Sequence, residues 1–267
     1  MSKVYTAKDH TFVICAYKNS QYIEECIASL NNQTLTTNII LVTSTPSEYL
    51  QNISNKFGIQ MYVNEGPSGI AEDWNFGLSK VSTPLATIAH QDDIYCENYA
   101  EQVIKNINRY KHPLIAFTDY GELRNGQKVN KNKLLTVKRI MLLPMRIKAL
   151  SSSIWVRRRI LSIGDAISCP TVTYALCNLE QPIFQSGFRC NLDWQAWEKM
   201  SKCKGDFVFC KDILMYHRIH AESTTTDLIE DVGRSGEDYE IYRKFWPDWI
   251  AKALLKRYSK AEKSNKI

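Results

Sequence analysis

The first ninety residues alternate between two hydrophobic periods, and that rhythm restricts the fold more than any other feature of the chain. "HTFVICAY" (10–17), "NIILVTST" (38–45), "IQMYVNEG" (59–66) and the run at 85–90 are short, apolar and rich in strand-forming residues. Between them lie "SQYIEECIASLNNQ" (20–33), "SEYLQNISNKFG" (47–58) and "SGIAEDWNFGLSKV" (68–81). In the first of these, Tyr22, Ile23, Cys26, Ile27 and Leu30 recur at helical spacing, with Ser20 as the expected N-cap. Gly58 is the expected end of the second. Strand, helix, strand, helix at this length predicts βαβ units, and so an α/β fold with a mostly parallel sheet and flanking helices.

Such sheets bind ligands beyond the carboxyl ends of their strands. Ala16 and Tyr17 fall there after the first strand, and Thr43 to Thr45 after the second. The fourth strand ends in "HQDD", with Asp92 and Asp93 adjacent. Two carboxylates side by side repel unless water, hydrogen bonds or a cation offsets them. Mg²⁺ is held by one or two carboxylates plus substrate phosphates, which suits such a loop, although most lone pairs of aspartates are N-caps or solvated loop residues.

The second half is less regular. "YCENYAEQVIKNINRYK" (95–111) reads as a helix, "PLIAFTDYGEL" (113–123) as a strand and "GQK" (126–128) as a turn. Residues 128–160 read as a mixture of loop and helix, 193–203 as an amphipathic helix and 206–220 as one or two strands. The end is helical with a break at Pro247. A chain of 267 residues accommodates one large domain with an appendage. The expected division is a single domain over 1–230, with halves 1–112 and 113–230, and a basic amphipathic helical extension over 231–267.

The net charge of +6 is unevenly placed. From Leu123 to Gly164 there is no acidic residue and there are eleven Lys and Arg. The tail sets Trp249, Ile250, Ala253, Leu254 and Tyr258 against Lys252, Lys256, Arg257 and Lys260. These are either solvated faces or surfaces that meet anions. No stretch approaches the 18 apolar residues of a membrane span, "MSKVYTAKDH" has no apolar signal region, and the eight cysteines show no metal-ligand spacing. The expectation is a cytoplasmic protein with reduced thiols.

Six segments in order, "VICAYKNSQYIEECIASLNNQ", "IILVTS", "NEGPSGIAEDWNFGL", "IAHQDDIY", "LDWQAWEKM" and "YHRIHAEST", resemble the family-2 glycosyltransferases of the GT-A fold, over about residues 10–225. The resemblance implies roles at particular positions. Tyr17 stands where the family stacks an aromatic ring on the nucleotide base, with Ala16 and Asn19 beside it. Asn75 and Gly77 match the helix that approaches the nucleotide-sugar. "HQDD" corresponds to D-x-D-D, making Asp92 the metal-binding carboxylate for Mg²⁺ or Mn²⁺ and Asp93 its support, with His90 and Gln91 facing the donor. His90 replaces the usual first aspartate, and an imidazole suits Mn²⁺ better than Mg²⁺.

Further along, "VTST" lacks the strand-end aspartate that reads uracil, so Thr43 and Ser44 would hydrogen-bond the base. Leu192 replaces the glutamate of the E-D-W segment and leaves Asp193 as the catalytic base. His220 would contact the metal or diphosphate, and Arg218 would neutralise phosphate charge.

The resemblance thus implies a metal-dependent inverting glycosyltransferase. It would move sugar from a nucleotide-sugar, first of all a UDP-sugar, to a saccharide or lipid-linked saccharide in polysaccharide or lipopolysaccharide biosynthesis. The basic face and tail fit peripheral association with the inner face of the cytoplasmic membrane; no nucleic-acid partner is expected. The alternatives are a nucleotidyltransferase, against which "CAYKNSQY" lacks a Gly-rich loop, a catalytically degenerate glycosyltransferase-like subunit, and an anion- or nucleic-acid-binding module.

Overall fold

The computed structural model describes residues 4–220 and 233–263 of the chain. The alternation of the first half is realised as β1 (His10–Ala16), α1 (Ile23–Asn31), β2 (Asn38–Thr43), α2 (Glu48–Phe57), β3 (Gln60–Val63), α3 (Ile70–Ser79) and β4 (Leu85–His90). Strands β3, β2, β1 and β4 lie side by side in that order, all parallel. Ser20 is not the cap of α1: Tyr22 holds that position and Ser20 accepts its N–H at 3.2 Å. Gly58 does end α2, in the left-handed region at φ 63°.

Gly77 explains how closely α3 lies on the sheet. A Cβ there would sit 2.6 Å from Val13 Cγ1 and 3.1 Å from Val42 Cγ2, so only glycine lets the helix rest on β1 and β2.

The second half adds β5 (Ile94–Tyr95), α4 (Tyr99–Ile107), β6 (Pro113–Arg124), β7 (Gln127–Val129), α5 (Lys133–Met141), α6 (Ile154–Leu161), β8 (Val172–Ala175), α7 (Leu192–Met200) and β9 (Asp206–Ile219). The expected turn at 126–128 is a hairpin whose corner is Asn125–Gly126, both at positive φ, with Gln127 and Lys128 already paired to β6. Strand β8 was not foreseen. "VTYA" is too short to show alternation, yet it lies antiparallel between β4 and β6 and joins the two halves into one sheet. The sheet is mostly parallel, β6 and β9 included, with β8, β5 and β7 paired antiparallel.

β6 is buried along eleven of its twelve residues. Its pairing with β9 shifts register around Asp119. The far end of β9 is also held antiparallel to β5, Tyr216 opposite Ile94. That pairing carries His217 and Arg218 back to the loop after β4.

The tail forms α8 (Gly233–Arg243) and α9 (Asp248–Lys263), separated at Pro247. Its apolar side faces the protein's own core: Ile241, Tyr242 and Ala251 are fully buried, and Leu254 and Leu255 pack on the main cluster. Trp194 meets Tyr242 edge-on at 5.1 Å and Trp246 Nε1 donates to the Ser162 carbonyl at 2.7 Å. Trp249 alone of the tail's large apolar residues stands fully out, 72% exposed, among the described side chains. Those of Tyr258 and Lys260, and residues 221–225 of the last motif, lie outside the described residues. Among the described residues no helix is long and apolar enough to cross a membrane.

Candidate active site

Three strand ends meet at one edge of the sheet and are stitched together. The Gln91 side chain bridges to the Tyr17 backbone, donating to its carbonyl at 2.9 Å and accepting its N–H at 3.3 Å. Lys18, at φ 55°, donates its N–H to Thr45 Oγ1 at 2.6 Å, and Thr43 Oγ1 accepts from the Thr45 N–H at 3.0 Å. Ala16 is buried below this platform, while the Tyr17 ring is 54% exposed with the Lys18 ammonium 5.1 Å from its centroid. Asn19 accepts from Ser47 Oγ at 2.8 Å, tying the same loop to the start of α2.

The loop after β4 holds the densest charge. Asp93 is fully buried, and its Oδ1 accepts from His217 Nδ1 and from the Arg218 N–H, both at 2.9 Å. Asp92 Oδ2 lies 2.9 Å from His220 Nε2. Arg218 is folded behind the loop: Nε donates to the Asp92 carbonyl at 2.7 Å, a terminal nitrogen pairs with Glu25, and the guanidinium lies 4.2 Å from the Tyr22 ring centroid. Burial alone would lower the His217 pKa, but Asp93 and Asp92 outweigh it and carry it up to about 9, so that this histidine is cationic at neutral pH. Burial likewise opposes ionisation of Asp92, and His217, His90 and His220 together hold its carboxyl below the usual range.

His90, Asp92 and Asp93 bring one ligand atom each within 4.8 Å of one another. Two atoms of this cluster, Asp93 Oδ2 and His90 Nε2, are buried without a hydrogen-bond partner. Buried polar atoms seldom remain unsatisfied, and one imidazole with two carboxylates is a donor set that fits Mn²⁺ or Mg²⁺. The His90 ring is held by a stack on Trp74, 5.5 Å between centroids and 19° between planes. Trp74 packs edge-on against Phe184, whose backbone is clamped by Asn75: the Asn75 amide donates to the Phe184 carbonyl at 2.8 Å, and its oxygen accepts from Ile183 and Phe184. Asn75 therefore positions the wall behind His90.

The end of β2 is not without a carboxylate. Asp73, from α3, accepts from Ser44 Oγ at 2.6 Å and from Asn64 Nδ2 at 2.8 Å. No local pattern announces it, because the acid sits twenty-nine positions from Ser44 on a different element.

Asp193 lies in the first turn of α7, whose N-cap is Asn191, and its Oδ1 accepts from the Trp194 N–H at 2.8 Å. Asp165 is beside it. Burial, then the Asp193 carboxyl, hold the Asp165 pKa well above the usual carboxylate range. Lys138 of α5 is the nearby cation: burial would lower its pKa, but Tyr120, Asp165 and Asp193 raise it. Lys138 is also felt by His217, so it lies between the β4 cluster and the acid pair. Lys138, Asp165, His217 and Asp73 are the residues that sequence reading missed; only the histidine, one place before Arg218, had a motif beside it.

Residues 11–163 match the profile of Glycosyl transferase family 2. The chain belongs to this family. A sequence search against characterised proteins gives no match. Among solved structures the family-2 chain is similar to S. aureus TarS 1–349 in complex with UDP-GlcNAc, with a TM-score of 0.65 and 15% identity over 92% of this chain and 70% of that one. It is also similar to the mannosyltransferase PcManGT from Pyrobaculum calidifontis in complex with GDP-Man and Mn²⁺, with a TM-score of 0.65 and 11% identity over 94% and 70%. At these identities the likeness establishes the GT-A fold of the family-2 chain.

Proposed function

We propose that the chain is a metal-dependent, inverting glycosyltransferase that moves a sugar from a nucleotide-sugar to a saccharide or lipid-linked saccharide. The observation that carries this is the pair of buried, unpartnered atoms, His90 Nε2 and Asp93 Oδ2, beside Asp92 at the carboxyl end of β4. The two structural neighbours hold nucleotide-sugars, one with Mn²⁺, which supports the same reading.

Tyr17 offers an exposed ring to the base. Thr43, Ser44 and the Asp73 carboxylate behind Ser44 offer acceptors to the N–H edge of a uracil, which makes a UDP-sugar the first candidate. His90, Asp92 and Asp93 would hold the metal, which supplies charge neutralisation for the departing diphosphate. His220 and His217 hold the two aspartates in place, and Arg218 fixes the loop from behind.

On the acceptor side Asp193 takes the proton of the attacking hydroxyl. The raised pKa of Asp165 makes it the member of the pair that holds a proton more readily, and Lys138 is the cation facing both carboxyls. The hydroxyl oxygen bonds to the anomeric carbon as the bond to the diphosphate oxygen breaks on the opposite side, so configuration inverts. Polysaccharide or lipopolysaccharide assembly at the cytoplasmic face of a membrane is the setting such an acceptor implies.

Asp193→Asn tests the assignment. Transfer is expected to fall by about 10²–10⁴-fold while donor binding stays unchanged. A variant that transfers at the native rate, or a product that retains the donor's anomeric configuration by NMR, overturns the mechanism.

A further inference from the structure

Eleven large apolar side chains stand exposed among the described residues, and eight of them lie between Leu134 and Ile163. The densest run is Leu134, Val137, Ile140, Leu143 and Ile147, with Ile140 59% and Ile147 56% exposed. They lie on α5 and the short 3₁₀ turns that follow it. The same segment buries Leu135, Leu142 and Met145, so its inward face is fully used and the outward aliphatics are surplus to the core. A contiguous apolar run of this kind on a surface marks a contact.

The charges that the segment itself carries are of one sign. No acid occurs from Leu123 to Gly164. Most of the cations there have internal work: Arg124, Arg139 and Arg158 pair with Glu122, Asp119 and Glu198, and Arg157 is buried, donating to the carbonyls of Ser201, Gly205 and Cys203. Lys138 is turned to Tyr120 and the acid pair. Lys131, Lys133 and Arg146 remain exposed, flanking the aliphatic run.

We propose that this face, α5 with the turns to Ile147, docks on an anionic lipid bilayer. The aliphatics enter the boundary of the acyl region, and Lys131, Lys133 and Arg146 meet the lipid phosphates. A second copy of the chain is disfavoured, because a two-fold contact through this face would set the three cations against their equals. Nucleic acid is disfavoured because the run is aliphatic and offers no stacking rings.

The docking face is not the basic tail, whose apolar side is spent on the protein's own core. Lys138, on the flank of α5 one turn after Leu134, faces Asp165 and Asp193. The proposed acceptor base would then lie on the flank of the docking face. This last step rests on the proposed function and makes the acceptor the lipid-linked one; the docking itself does not depend on it.

The test is flotation of the full chain with phosphatidylcholine vesicles, with and without phosphatidylglycerol, at low and high salt. Nucleotide-sugar binding is measured on the same samples. The native chain is expected to float with anionic vesicles only, less so at high salt. Lys131→Glu with Lys133→Glu and Arg146→Glu is expected to weaken partitioning by at least about a hundredfold, at about fivefold for each cation lost, with the added carboxylates repelling the lipid phosphates further. Ile140→Ser with Leu143→Ser and Ile147→Ser is expected to weaken it at least tenfold, with the thermal melt and nucleotide binding retained.

The docking is overturned if the native chain stays with the unfloated fraction, if both folded variants float like it, or if sedimentation shows a dimer that the serine variant abolishes. Nucleotide binding without flotation refutes the docking alone. Flotation without nucleotide binding refutes the donor reading alone.

Discussion

His10 makes a buried seam of the sheet sensitive to acid. Its ring is fully buried at the start of β1, with Nε2 2.9 Å from Thr87 Oγ1 and Nδ1 without a hydrogen-bond partner. Thr87 continues to Thr173 at 2.5 Å and Thr173 to Tyr99, so the chain of polar groups crosses from β1 through β4 to β8, where the two halves join. Burial pushes the His10 pKa down to about 3. The unfolded chain, with an ordinary histidine near ~6.5, therefore binds a proton that the folded one refuses. The contribution is complete above about pH 6.5 and is lost progressively as pH falls toward 3. From pH 7.5 to pH 5.0 the loss works out at about 2 kcal/mol, because only the unfolded state titrates in that interval. A folded pKa one unit higher would barely alter that figure.

The assay is urea unfolding followed by circular dichroism at the two pH values, for the native chain and for His10→Gln. The native chain should lose about 2 kcal/mol more than the variant between them. Equal losses in both would refute the reasoning, whatever the variant's own stability.

Gly77→Ala would press a methyl group into Val13 and Val42, and a cost of about 1–3 kcal/mol in unfolding free energy is expected, despite alanine's better helix propensity. Asp165→Asn removes a carboxyl whose folded pKa is raised, a group that loses stability as pH climbs above the ordinary carboxylate range. The variant's melting temperature should therefore gain on the native chain's as pH rises from 4, and a constant difference would contradict the raised pKa of Asp165. In the transfer assay the same variant should lower kcat and leave the donor KM unchanged.

The parallel half of the fold was legible because each of its elements is long enough to show its own period. The heptapeptide of β1, the i, i+3, i+4 pattern of α1 and the glycine after α2 each report locally. β8 was hidden because four buried residues carry no period, and its place in the sheet is set by partners at 85–87 and 115–117. The site divides in the same way. Asp92, Asp93 and His220 were readable from motifs that sit at strand ends. Asp73, Lys138 and Asp165 were not, since each acts on a residue brought to it only by the fold. The acid-free stretch was visible as a charge pattern, but sequence could not separate Arg157, which donates to three carbonyls inside the protein, from Lys131, which meets water.

The most direct measurement is calorimetric titration of UDP-, GDP- and dTDP-sugars into the native chain and Asp92→Ala, each with Mn²⁺ and with EDTA. One nucleotide class, UDP first, is expected to bind with Mn²⁺, to weaken by at least tenfold in EDTA, and to lose its metal dependence in the variant. Binding that is indifferent to metal, or to Asp92, in a folded protein would contradict the central claim that the β4 cluster holds the donor diphosphate through a cation.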